Sequence, residues 1–131
     1  MKILVLESSG LVASVAVVTE EKLIGEYTTN FKKTHSQTLL PMMDTLLKMI
    51  GIPVQEMDAI AVSGGPGSFT GLRIGSATAK GLGLALSIPI ISVPTVDAIA
   101  YNLCGTDAVV CPLMDARRNQ TYTGLYTFDG D

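Results

Sequence analysis

The chain has 131 residues, enough for one domain or for one lobe plus part of another. Hydrophobic residues make up 47% and charged residues 16%, which excludes a disordered segment and provides for a core. A formal net charge of -3 excludes a global positive field that would draw the chain to nucleic acid, so RNA is expected to be reached only through another subunit.

Ile3 to Leu6 is a short apolar run closed by Glu7-Ser8-Ser9-Gly10, and it reads as a buried central strand. The opening from Met1 to Glu7 is too short and too soon charged for a signal peptide, and no run nears the ~20 apolar residues that span a bilayer. A cytoplasmic protein without membrane contact is expected. Leu11 to Thr19, the tight turn Glu20-Glu21-Lys22, and Leu23 to Asn30 complete a three-stranded antiparallel meander.

Thr34 or Ser36 can cap a helix running to about Ile50, with Gly51 as its stop and Pro53 just beyond. Leu39, Met43, Leu46, Leu47 and Ile50 share one face, and Leu40, Met42 and Met49 add apolar surface outside that stripe. A helix apolar on more than one face has two partners; one can be another chain, and burial within a larger domain is equally open. Ala59 to Ser63 is a strand feeding a glycine-rich turn, and a long helix follows from about Phe69 to Ser87. Ile88 to Val93 is a strand broken by Pro89, and Pro94 or Thr95 opens a short helix to about Leu103. Cys104 and Cys111 lie in apolar surroundings and read as reduced core residues. Ala108 to Ala116 and Gln120 to Phe128 are two strands joined at Arg117-Arg118-Asn119. The order βββαβαβα, then a fresh hairpin, predicts an α/β lobe over residues 1–107 and the start of a second lobe over 108–131.

The turn Ser63-Gly64-Gly65-Pro66-Gly67-Ser68-Phe69-Thr70-Gly71-Leu72-Arg73-Ile74-Gly75 holds five of the glycines. Between a strand and a helix it can aim backbone N–H groups at one point, so Gly64, Gly65, Gly67 and Ser68 are candidate ligands for an anion or nucleotide. Tight packing without a ligand is as good an account. Neither the P-loop nor the dinucleotide pattern fits. Downstream, Gly71, Gly75, Ala79 and Gly83 recur at every fourth position beside a row of Ala77, Gly81 and Ala85. Each interior helix glycine costs up to ~1 kcal/mol against alanine, so a compensating close approach of two helices is expected, with some of it open to the lobe's own sheet.

That glycine run resembles the signature of the TsaB (YeaZ) family, accessory subunits of the bacterial machinery that makes threonylcarbamoyladenosine on ANN-decoding tRNAs. Ile3-Leu4-Val5-Leu6-Glu7-Ser8-Ser9, His35-Ser36-Gln37-Thr38-Leu39-Leu40-Pro41, Ile90-Ile91-Ser92-Val93-Pro94-Thr95 and Met114-Asp115-Ala116-Arg117-Arg118 with Tyr122 agree in order, so the resemblance covers the whole chain. It implies an actin-like ATPase (ASKHA, ribonuclease H-like) lobe: a mixed five-stranded sheet flanked by helices, with most of a second lobe absent. Family members usually carry Asp where this chain has Glu7, which argues against a metal–nucleotide site in this lobe. The related catalytic subunit TsaD carries a metal-binding H-x-x-x-H pair. The matching stretch here is Val93 to Ile99, which puts Thr95 and Ile99 at the ligand positions, and an isoleucine cannot ligate a metal. The chain has one histidine in all, so no multi-histidine site lies within it. His35, ahead of a capped helix without a nucleophile nearby, reads as structural or interfacial rather than as a general base. Asp115, Arg117 and Arg118 read as a solvated turn, with a contact to tRNA, a partner or the missing lobe as the sharper alternative. Ser8, Ser9 and Asp97 carry a lesser case for lining a nucleotide cleft.

The resemblance therefore implies a non-catalytic scaffold that binds and stabilises a TsaD-like subunit, works beside a TsaE-like ATPase, and forms a homodimer in isolation. The helices at 36–50 and 70–87 are the expected contact, through Leu40, Met42, Met43, Leu47, Gly71, Ile74, Gly75, Thr78, Ala79 and Leu82. No cofactor is required, although ATP or ADP at the glycine turn is open. The alternative is an ATP-binding enzyme of the actin-like superfamily. A metallopeptidase of the glycoprotease grouping would need metal ligands that the chain lacks.

Overall fold

A computed structural model describes residues 1–30 and 35–129, without the side chains at 35 and 36. The capping role drawn for Thr34 or Ser36 and the role drawn for His35 lie outside the described residues.

Leucine and valine alternation makes the first strands. β1 (Lys2–Glu7) pairs antiparallel with β2 (Ala13–Thr19), which pairs antiparallel with β3 (Leu23–Thr29). α1 (His35–Ile50) follows, then one turn of 3-10 helix at Val54–Glu56 that the sequence reading does not contain. β4 (Ala59–Gly65), α2 (Phe69–Leu86) and β5 (Ile90–Pro94) form a strand–helix–strand crossover, and α3 (Thr95–Tyr101) leaves directly from β5. β4 lies parallel to both β1 and β5, which gives one mixed sheet in the order β3-β2-β1-β4-β5. This is the α/β lobe that the element order predicts, with the mixed five-stranded sheet that the resemblance implies.

The core is one face of that sheet. Leu4 pairs with Val17 and Ile60, and Leu6 with Val15 and Val62, so the period-two pattern of three neighbouring strands comes into register. All six are buried, as are Leu39, Met42, Leu46 and Leu47 of α1 packed over them. Each such side chain contributes about 1.5–3 kcal/mol on burial. Met42, which the helical stripe leaves outside, is therefore a core residue, while Leu40 and Met49 are exposed.

α2 corrects the expectation drawn from its small residues. Gly71, Gly75, Ala79 and Gly83 are its buried residues, and Gly75 and Gly83 lie against the chain's own strands. A Cβ at Gly75 would stand 2.5 Å from the Ser8 hydroxyl and 3.3 Å from a Val62 methyl, and one at Gly83 would stand 2.9 Å from Ile90. The close approach that offsets the helix-propensity cost is thus helix to sheet. Gly81 belongs to the other row, is exposed, and would meet nothing within 4 Å. Gly81→Ala is accordingly expected to stabilise the fold by ~0.5–1 kcal/mol in urea denaturation, through the lower entropy of the unfolded chain.

β6 (Leu113–Arg117) and β7 (Gln120–Thr123) form a separate two-stranded sheet, shorter than the hairpin predicted from Ala108 to Phe128. Pro112 has no N–H to continue the ladder, and only Val110 and Tyr126 pair beyond it. Cys104 and Cys111 are both free and both exposed, so the expectation of core cysteines is corrected: the chain around them is largely open to solvent. Among the described residues no helix is long and apolar enough to cross a membrane.

Candidate functional site

Parallel strands β1 and β4 end side by side, and their carboxyl ends are where an α/β sheet ordinarily offers a ligand site. Here two turns meet. The turn after β1 contains Ser8 and Ser9, both buried; the turn after β4 is the glycine run, which contains a cis Gly65–Pro66 bond. The Ser68 amide donates to the Ser9 carbonyl at 2.6 Å, and the Ser8 hydroxyl donates to the Gly71 carbonyl at 2.8 Å. A Cβ on Gly67 would fall 2.5 Å from the Ser9 carbonyl oxygen, so this glycine is required by backbone meeting backbone. Gly65 has φ +103°, a conformation reserved in practice for glycine.

Glu7 ties the two turns together. One carboxylate oxygen accepts the Ser9 amide at 2.6 Å and the other accepts the Ser63 hydroxyl. The extra methylene relative to aspartate is used to bridge β1 and β4.

Among the candidate anion ligands, the Ser68 amide is occupied by the chain itself, through the Ser9 carbonyl. Ser68 caps α2, its hydroxyl accepting from the Gly71 amide at 3.3 Å and its carbonyl from the Leu72 amide at 2.8 Å. Gly67 and Ser68 lie against Ser9, and a side chain at Gly64 would run into Ser92. Ser8 and Ser9 hold turns together and do not line an open cleft. The sequence reading misses the Glu7–Ser63 bridge. Its signal is a carboxylate at the end of an apolar strand, which is costly unless hydrogen-bonded.

The remaining candidates are dispersed. Thr95 is buried with its hydroxyl unpartnered, and Ile99 is partly exposed one turn later on α3. Among the described residues no three His, Cys, Asp or Glu side chains come together to hold a metal ion. Arg117, Arg118 and Asn119 all have positive φ at the β6–β7 tip, and the Arg117 amide donates to Asp115 at 2.7 Å. Both arginines are exposed.

Asp97 accepts a hydrogen bond from the Tyr126 hydroxyl at 2.6 Å, linking α3 to the segment after β7. That bond, helped by desolvation and by the negative charge of Asp97, holds the Tyr126 phenol above its ordinary pKa of 10.0. A raised folded-state pKa means the stabilisation is present in full below the unfolded value and fades as pH rises through the folded one. An ultraviolet difference titration of wild type against Tyr126→Phe is expected to show this tyrosine ionising above pH 10.0, and Asp97→Asn is expected to bring it down.

Of the ten expected contact residues, Met42, Leu47, Gly71, Gly75 and Ala79 are buried in the lobe's own core. Leu40 is exposed, and Met43, Ile74, Thr78 and Leu82 are half-buried, with Met43, Ile74 and Leu82 packed against the core.

Comparison with known proteins bears on this arrangement. The sequence model of the family described as "TsaD: tRNA N6-adenosine threonylcarbamoyltransferase" matches residues 22–131. The tRNA threonylcarbamoyladenosine biosynthesis protein TsaB of Bacillus subtilis is 40% identical over 128 residues, covering 98% of this chain and 56% of that protein. Its Escherichia coli counterpart is 32% identical, over 98% of this chain and 56% of that protein. The chain thus spans about half the length of the curated relatives it matches. The structure of YeaZ from Pseudomonas aeruginosa superposes with a TM-score of 0.87 at 34% identity, covering 98% of this chain and 61% of that one. From the matched family model, the relatives and the shared lobe, it follows that the chain belongs to the TsaD-related family, in its TsaB (YeaZ) group.

Proposed function

We propose that the chain acts in the biosynthesis of tRNA threonylcarbamoyladenosine as a non-catalytic subunit that binds and stabilises a TsaD-like partner. The observation that carries this reading is the α1–α2 flank. There Leu40, Met43, Ile74, Thr78 and Leu82 offer an apolar surface on a lobe that resembles TsaB throughout. The internal use of Glu7, Gly67 and Ser68 supports the same reading, because it leaves the strand-end turns committed to packing. In this reading the turn carries no ATP or ADP, residues 108–131 begin a second lobe, and the isolated chain forms a cytoplasmic homodimer through the same flank. A TsaE-like ATPase joins the same assembly, and tRNA is reached through partners, in keeping with the net charge of -3.

Titration calorimetry of the chain with a TsaD-like subunit tests the reading. Leu40→Glu with Thr78→Glu is expected to weaken binding about 100-fold, ~2.7 kcal/mol, by placing unpaired charge at the centre of an apolar contact. Leu23→Glu, on exposed β3, is expected to leave it unchanged. Undiminished binding by the folded double variant would remove the interface. Hydrolysis of magnesium-ATP by the isolated chain would remove the non-catalytic reading in favour of an ATP-binding enzyme.

A further inference from the structure

Among the described residues, helices cover this face of the sheet unevenly. α1 lies over β2 and β3, and α2 lies mainly over β4. β5 is the last strand on its side of the sheet, and its Ile90 and Ile91 are both about 41% exposed. Parallel strands are ordinarily covered on both faces. The open place is a cleft of about 620 Å³ between α2 and β5, with no residue of α1 in its lining. Val62, Leu72, Phe69 and Ile90 give it apolar walls.

Its charge is one-sided. The 18 residues of α2 include just two charged side chains, Arg73 and Lys80, and both line the cleft. No carboxylate lines it, and neither cation has an ion pair among the described residues. Arg73 instead lies over the Phe69 ring, 4.1 Å from its centre. On a chain of net charge -3 this is a local cationic slot.

We propose that the cleft receives one amphipathic helix of a separate acidic protein. A helix is the element that completes this layer, since helices pack ~8–10 Å apart and the site adjoins α2 along about three turns. Arg73 and Lys80 are seven residues apart, about two turns or ~10 Å, so carboxylates at the same spacing on the incoming helix meet both. A second copy of this chain does not fit. α1 and α3 carry one carboxylate each, Asp44 and Asp97, engaged by Lys48 and Tyr126, and α2 carries none. This contact is separate from the α1–α2 flank and does not depend on its partner.

Fluorescence anisotropy with the whole chain and two synthetic helices tests the proposal. The helices share a leucine stripe and differ only in two glutamates or two lysines spaced seven apart. The glutamate helix is expected to bind about tenfold or more tighter than the lysine helix, with the difference shrinking at high salt. Arg73→Glu with Lys80→Glu, both at exposed positions, is expected to invert that preference, and amide protection is expected over residues 69–80 and β5. Equal binding of the two helices, no binding, or protection elsewhere would overturn the proposal. So would a concentration-dependent dimer of the chain that the same double variant dissolves, since the occupant would then be a second copy.

Discussion

Gly75→Val is expected to cost about 3 kcal/mol of stability in urea denaturation. The first carbon added stands 2.5 Å from the Ser8 hydroxyl, well inside contact distance, and 3.3 Å from Val62. Ser8 cannot simply swing away. Its hydroxyl is buried and donates to the Gly71 carbonyl, so moving it forfeits a hydrogen bond worth roughly 1 kcal/mol. Pushing α2 off the sheet instead opens the contact of Ala79 and Gly83 with β4 and β5, and overpacking of this kind costs typically ~1–3 kcal/mol. The helix-propensity gain from replacing glycine, below ~1 kcal/mol, offsets only part of this. Gly75→Ala is expected to lose less, and to recover most of its loss when Ser8 is also replaced by alanine, because the clashing oxygen is then gone. Additive losses in that cycle would contradict the contact.

The second large effect is expected at Glu7. Its carboxylate accepts from the Ser9 amide and from the Ser63 hydroxyl, groups on two different turns. Hydrogen bonds to an ionised group contribute ~1.5–3 kcal/mol, and Glu7→Ala also leaves the amide of buried Ser9 without this acceptor. A total loss of about 2–4 kcal/mol is expected by thermal or urea unfolding. Glu7→Gln keeps the length and one acceptor oxygen, so a loss of about half that size is expected. Equal stability of wild type and Glu7→Ala would show that the two turns hold without the bridge.

Much of the fold is legible in the chain because its signals are local. The apolar run Ile3 to Leu6 ends at Glu7 and becomes β1, and Gly51 with φ +68° closes α1 where the helix pattern stops. Ser68 followed by the helix of Phe69 to Leu86 is an N-cap that needs no tertiary context. The hairpin strands are shorter than predicted because hydrophobic alternation runs on through Pro112, which has no amide hydrogen to extend a ladder. Exposure of Cys104 and Cys111 is not legible, since an apolar neighbourhood in sequence does not reveal what covers it.

The glycine run between Ser63 and Gly75 shows where the two kinds of information divide. The sequence alone determined the order of the elements, the strand–turn–helix punctuation and, through the length of the motif, the family. Only the tertiary structure decided what the small residues are for. Periodicity states that a helix has a face without large side chains, and it is silent on whether a sheet or another chain lies against it; here the sheet does. It also decided the fate of the turn's hydrogen-bonding groups. Their partners, Ser8 and Ser9 against Gly71 and Ser68, and Glu7 against Ser63, lie 56 or more residues apart along the chain. No local pattern reports a contact closed over such a distance, because it forms only when β4 is laid beside β1.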